Sequence, residues 1–245
     1  MHNAALAALG LAGDWSYEAI DVAPDDFTER VEALPGEGFV GANVTIPHKG
    51  AALALADLLS ETVREIGAAN MLTFAEGEIR ADNTDADGFL NALPSPAGAK
   101  RALVLGAGGA ARAIVWALLR EGAEVDVWNR TQLRSRDLCR ELGGRPIVAL
   151  AGTAYDLIVN STAVGLHGED PFEELPLSRE GLGAGQTVVD MVYGRGPTAL
   201  LAAARRAGAT TVDGIEVLVQ QGALSLRVWT GQESPLDVMR AAAGG

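Results

Sequence analysis

Residues Leu103 to Arg112 read Leu-Val-Leu-Gly-Ala-Gly-Gly-Ala-Ala-Arg. An apolar run that enters a glycine turn and leaves into a helix brings backbone N–H groups and a helix N-terminus up to a pyrophosphate. Gly106 allows the tight turn, Gly108 lets a phosphate touch backbone, and Ala111 is the small residue that helix–strand packing needs. Gly106, Ala107, Gly108, Gly109 and Ala110 are therefore the candidate dinucleotide cradle. About twenty residues on, a second apolar run ends in Asn129-Arg130-Thr131, with Arg134 following. A pocket for NAD places a carboxylate there to accept from the ribose 2′-OH. A guanidinium instead binds a 2′-phosphate through charge-assisted hydrogen bonds. The pattern predicts NADP rather than NAD. The alternative reading makes Arg130 and Arg134 solvated charges at a helix start.

Lys49 follows Thr45-Ile46-Pro47-His48 at a strand-to-helix corner, and Asp85 ends Asn83-Thr84-Asp85 after another strand. They are the best charged pair in the first part of the chain. Reversible hydride transfer between a nicotinamide and a secondary alcohol needs a group that gives a proton to the developing alkoxide and takes it back in reverse. Each residue also has a structural reading. A lysine at a helix start is usually solvated, and Asp85 could cap the helix that follows it. His48 reads as a neighbour of the site. His2 and His167 have no partners that suggest a metal, and no Cys/His cluster has ligand spacing, so no metal is expected.

The elements that must position these residues follow from patterning. A helix is expected over 1–9, a strand over 17–22, a helix over 24–34 opened by Pro24, and a strand over 39–44. Ser60-Glu61 starts a short helix, and 71–74 with 78–81 form a hairpin around Glu76-Gly77. Pro94-Ser95-Pro96-Ala97-Gly98 is the clearest punctuation and is read as a domain connection. Beyond it, strands at 101–105, 124–128, 157–160, 187–190 and 210–212 alternate with helices, which predicts a parallel sheet covered on both faces. A long helix is expected over 215–229.

Among 245 residues, 48% are apolar, 30 are glycine and only 5% are aromatic, a composition suited to an α/β protein with many tight turns. The net charge of −13 argues against a nucleic-acid or anionic-membrane partner. No apolar stretch approaches the roughly 20 residues that span a bilayer, and no secretory signal pattern opens the chain. The single cysteine, Cys139, excludes an internal disulfide and fits a reducing, cytoplasmic setting.

With these pieces together, the chain resembles the shikimate dehydrogenase family. The resemblance rests on Asn43-Val44-Thr45-Ile46-Pro47-His48-Lys49, Gly67-Ala68-Ala69-Asn70, Asn83-Thr84-Asp85, Gly106-Ala107-Gly108-Gly109-Ala110, Asn129-Arg130-Thr131 and Gln221-Gly222-Ala223. It implies NADPH-dependent reduction of 3-dehydroshikimate to shikimate on an α/β fold of two domains. One is a substrate domain (residues 1–85 plus 216–245), the other a Rossmann-like NADP-binding domain with a parallel sheet (residues 86–215). It also implies that Lys49 and Asp85 face each other across the substrate ring. Thr45, Asn70, Tyr193 and Gln221 would contact substrate alongside Asp85, and Asn160, Ser161, Thr162 and Gly214 would line the cofactor's path. The expected partner is a small molecule, and the expected state a monomer or homodimer. Competing readings are a quinate/shikimate dehydrogenase using NAD, a relative acting on an amino analogue, a tetrahydrofolate dehydrogenase, or a non-catalytic ligand sensor.

The sequence also departs from the family. Relatives carry a strand and a Ser-x-Ser-Pro turn ahead of Met1-His2-Asn3, and the turn's hydroxyls hold the substrate carboxylate. The expectation is a start assigned too late or a clipped chain, with natural truncation the alternative. Losing two hydrogen bonds of roughly 1.5–3 kcal/mol each would impair kcat/KM by about 10² to 10⁴-fold while sparing NADP binding. Met71 after Asn70 and Ala86-Asp87 after Asp85 are smaller departures.

Overall fold

Glu76 and Gly77 both adopt positive φ, +56° and +80°. Two such residues in succession make the turn whose twist matches a hairpin. The strands they join, Met71–Ala75 and Glu78–Asp82, pair antiparallel with Ala75 opposite Glu78. Around this hairpin a four-stranded sheet forms in the order Gly41–Asn43, Met71–Ala75, Glu78–Asp82, Leu58–Leu59, the last pair parallel. Phe27 and Val31 from one helix, Ala52 from a second and Val63 from a third pack on Leu72, Ile79 and Ala81. The structure, a computed structural model, describes residues 1–150, 154–194 and 196–244. Its chain divides into two units, Met1–Gly88 with Leu218–Gly245, and Phe89–Val217.

In the second unit, Arg101–Leu105 is apolar at four consecutive positions, which demands cover on both faces. It lies inside a six-stranded parallel sheet ordered Thr210–Asp213, Thr187–Asp190, Leu157–Asn160, Arg101–Leu105, Glu124–Trp128, Arg145–Ile147. One face is sealed by a cluster including Ile114, Leu118 and Leu138, the other by one including Leu175, Leu200 and Leu201. The chain runs outward in both directions from Arg101–Leu105, so the strand order reverses between it and Leu157–Asn160. That reversal is where doubly wound sheets bind ligands.

Several elements differ from expectation. Tyr17–Val22 forms no strand, and at Tyr17 the Asn3 side chain takes both backbone groups. Its Oδ1 accepts from Tyr17 N–H at 2.7 Å and its Nδ2 donates to Tyr17 O at 2.8 Å. The strand expected over 39–44 shortens to Gly41–Asn43. The helix expected over 24–34 begins as a 3₁₀ turn, Pro24–Asp26, before Phe27–Ala33. Short strands at Leu58–Leu59 and Arg145–Ile147, and a helix at Leu236–Ala243, were not legible. No helix among the described residues is long and apolar enough to cross a membrane.

Candidate active site

After Val44 the chain turns, with His48 N–H donating to Thr45 O at 2.9 Å, and Lys49 opens the helix Lys49–Leu55. His48 is held out of the way: its ring stacks on Phe27 at 4.5 Å, and its Nε2 lies 3.0 Å from Val22 O. The Lys49 ammonium is thereby aimed inward. It forms an ion pair and hydrogen bond with Asp85 Oδ2, and both side chains are nearly buried, at 12% and 9% exposure.

Asp85 is available because another residue caps its helix. Asn83 Oδ1 accepts from the N–H groups of Asp85, at 3.0 Å, and Ala86, at 3.2 Å. Asn83 is itself anchored by donating to Ala68 O at 2.9 Å. The carboxylate that could have served as a cap instead faces Lys49 on one oxygen and Asn70 on the other, the latter at 2.9 Å. Asn70 cannot turn over, since its Oδ1 accepts from Thr84 N–H at 2.7 Å. Its Nδ2 also reaches Thr84 Oγ1 at 3.0 Å and Gln221 Oε1 at 3.1 Å. Gln221 comes from the helix Gly214–Thr230, 151 residues away, and is fixed by donating to Leu218 O at 2.9 Å.

Lys49, Asp85, Asn70 and Gln221 thus form one connected cluster in the first unit. In a site shielded from water, a held ammonium–carboxylate pair stabilises a developing oxyanion and can pass it a proton. Thr45 sits on the exposed turn four residues before Lys49. Tyr193 belongs to the second unit and is 48% exposed.

The glycine turn leaves its backbone open to a ligand at one position and admits no side chain at another. Gly106 has φ +116°, and a Cβ there would lie 2.7 Å from Ser161 Oγ, so only glycine fits. Over Gly108 a Cβ would meet nothing within 4 Å, leaving open space against backbone. The helix Gly109–Arg120 begins without a side-chain cap, and its first intrahelical bond runs from Arg112 N–H to Gly108 O. The N–H groups of Gly109 and Ala110 therefore have no partner within the helix, the kind of N-terminus at which anions bind. The helix Gln132–Leu142, with Thr131 at its cap position, likewise has no side-chain cap. Arg130 and Arg134 are exposed there and have no ion-pair partner among the described residues. Asn129 donates to Thr131 O at 2.9 Å, which shapes this turn.

Asn160 is fully buried. It donates to Asp190 Oδ1 at 2.9 Å and accepts from Thr162 Oγ1 at 2.7 Å, so it holds the loop on which Ser161 and Thr162 stand. Burial pushes the Asp190 carboxyl above its ordinary range, against hydrogen bonds from Thr198, Val192 and Asn160. Gly214 packs so tightly that a Cβ would lie 2.5 Å from Met191 O. Sequence reasoning gave no role to Asn83 or Thr84, although both stood beside Asp85. It missed Ser225 as well, whose one signal is its spacing of four from Gln221 on the same helix face.

Comparison with known proteins finds three family matches along the chain. Residues 1–72 match the shikimate dehydrogenase substrate binding domain, 92–165 the shikimate/quinate 5-dehydrogenase family, and 214–243 the shikimate 5′-dehydrogenase C-terminal domain. A shikimate dehydrogenase (NADP(+)) from Methanocella arvoryzae is 42% identical over 99% of this chain and 91% of its own. Two solved structures are similar throughout. Shikimate 5-dehydrogenase from Thermus thermophilus, in complex with NADP(H) and shikimate, has a TM-score of 0.90 and 40% identity, covering 99% of this chain and 91% of its own. Shikimate dehydrogenase from Aquifex aeolicus has a TM-score of 0.92 and 33% identity, covering 100% and 91%.

Proposed function

The chain belongs to the shikimate dehydrogenase family, and on that premise we propose that Lys49 and Asp85 carry the proton transfer of its reaction. That reaction is the NADPH-dependent, reversible reduction of 3-dehydroshikimate to shikimate. The observation that carries the assignment is the shielded Lys49–Asp85 pair, tied through Asn70 to Gln221.

NADPH, when bound, would supply a hydride to the carbonyl carbon. The residues of the chain do the rest. As the C=O π bond breaks, its electron pair moves to oxygen, and the Lys49–Asp85 pair delivers one proton there, yielding the secondary alcohol. In the oxidative direction the same pair takes the proton back. Asn70 holds the carboxylate by donating to Asp85 Oδ1, so the pair does not rearrange as charge develops. Asn70, Gln221 and Thr45 offer the amide and hydroxyl groups that a polyhydroxylated ring requires. Gly106 to Ala110 cradle the pyrophosphate, with Ser161, Thr162 and Gly214 along the cofactor's path. Asn129 and Thr131 shape the turn from which Arg130 and Arg134 take the 2′-phosphate. Both arginines lack a competing carboxylate among the described residues, which supports this role.

We assign the enzyme to the cytoplasm as a monomer or homodimer. Its one cysteine, Cys139, is buried, and burial pushes the thiol up to about 11, far from a reactive thiolate. Lys49→Ala tests the central assignment. We expect kcat to fall by about 10² to 10⁴-fold while NADPH binding, followed by fluorescence, is retained. Full turnover in the variant would overturn it.

A further inference from the structure

Asn70 Nδ2 carries two protons and faces three acceptors: Asp85 Oδ1 at 2.9 Å, Thr84 Oγ1 at 3.0 Å and Gln221 Oε1 at 3.1 Å. The charged oxygen of Asp85 takes one proton, and the other is shared between Thr84 and Gln221. Whether Gln221 Oε1 keeps a lone pair for a ligand then depends on where Thr84 sends its own proton. The Thr84 hydroxyl has three acceptors in reach. Ser225 Oγ lies at 3.2 Å, whereas Gln221 Oε1 and Asn70 Oδ1 both lie at 3.4 Å. Ser225 is the nearest.

Ser225 is fully buried, and its proton is already committed to Gln221 O at 3.1 Å, one helical turn back. Its oxygen therefore acts as an acceptor. One lone pair takes Asn43 Nδ2 at 2.7 Å, and the other faces Thr84. Asn43 is oriented in turn by the Tyr17 phenol, which donates to its Oδ1 at 3.1 Å. Donation thus converges on Ser225 Oγ, from Tyr17 through Asn43 on one side and from Thr84 on the other.

We infer that Ser225 is a positioning residue of the shikimate site, drawing the Thr84 proton away from Gln221 so that Gln221 Oε1 keeps an open lone pair for a substrate hydroxyl. The inference rests on the proposed role of Gln221 in binding the ring. Without the serine hydroxyl, Thr84 keeps two acceptors at 3.4 Å, Gln221 Oε1 and Asn70 Oδ1, and the latter already takes the Thr84 N–H at 2.7 Å; a proton sent to Gln221 Oε1, which also accepts from Asn70, leaves nothing for the ring. The loss falls on substrate binding and leaves hydride transfer and the cofactor untouched.

The test is steady-state kinetics of the full chain carrying Ser225→Ala. KM for shikimate is expected to rise about 3- to 10-fold, the loss of one neutral hydrogen bond, with kcat within about twofold and KM for NADP unchanged. In a Thr84→Val background the same substitution should add nothing, because no proton remains to redirect. A side chain's packing alone would not produce that dependence. Ser225→Cys fills the space with a poorer acceptor, is expected to move KM the same way, and serves if the alanine variant does not fold. An unchanged KM for shikimate, a fall in kcat alone, or an equal KM rise in the Thr84→Val background overturns the inference. Lys49→Ala, measured alongside, separates the two levels: full turnover there defeats the site assignment, whereas the role of Ser225 fails on the shikimate KM.

Discussion

The Cα of Gly88 lies so close to Gln221 that a Cβ on it would sit 2.6 Å from Gln221 Cβ, 2.7 Å from its backbone nitrogen and 2.8 Å from its Cα. Two of those three atoms are backbone and cannot step aside. The approach brings an amide from the distant helix Gly214–Thr230 within reach of Asn70, which stands beside Asp85. A small residue at this one position thereby decides whether Gln221 can reach Asn70.

Gly88→Ala should therefore cost stability and substrate affinity together. Overpacking of this kind destabilises by about 1–3 kcal/mol, and each kcal/mol lowers Tm by roughly 2–4 °C in a chain of this size. KM for shikimate should rise as Gln221 is pushed off Asn70. Calorimetry and kinetics check both. A variant with wild-type Tm and KM would show that the close approach does no positioning.

Cofactor choice should depend on Arg130. Its removal in Arg130→Ala takes away charge-assisted hydrogen bonds of about 1.5–3 kcal/mol, a loss of roughly 10- to 100-fold in affinity. KM for NADPH should rise by that factor, whereas KM for NADH should move less than about twofold. Equal changes for the two cofactors would assign the arginine to general charge rather than to the 2′-phosphate.

A further expectation concerns acid stability. His2 is buried, stacked on Tyr17 with ring centroids 3.9 Å apart, and its Nε2 lies 3.3 Å from Gly222 O. Burial lowers its pKa from 6.5 to about 4, against the hydrogen bond to Gly222, which raises it. The folded value lies below the unfolded one, so the unfolded chain binds the extra proton between them. This contribution is complete above pH 6.5 and is lost as pH falls through about 4. The full loss is about 3 kcal/mol. His2→Phe keeps the stacking and abolishes the titration. The gap in unfolding free energy between wild type and variant should hold steady above pH 7 and shift in favour of the variant by pH 4. Parallel curves across that range would contradict it.

What could be read along the chain was local. Gly106 announces a backbone turn that no Cβ permits, and four apolar residues in Ala102–Leu105 announce a strand buried on both sides. Arg130 in place of a carboxylate announces the cofactor. These are properties of a few adjacent residues, and short-range sterics and charge decide them before any folding occurs. Tyr17–Val22 has the composition of a strand yet forms none, and Asn3, fourteen residues back, claims both backbone groups of Tyr17. Asp85 has the character of a helix cap, but Asn83 takes that task and frees the carboxylate for Lys49. Ser225 meets Thr84 across 141 residues, and no pattern of neighbours could have announced it. Competition among buried donors and acceptors is settled only when distant segments arrive in one place, since each polar group takes whichever partner packing brings within reach.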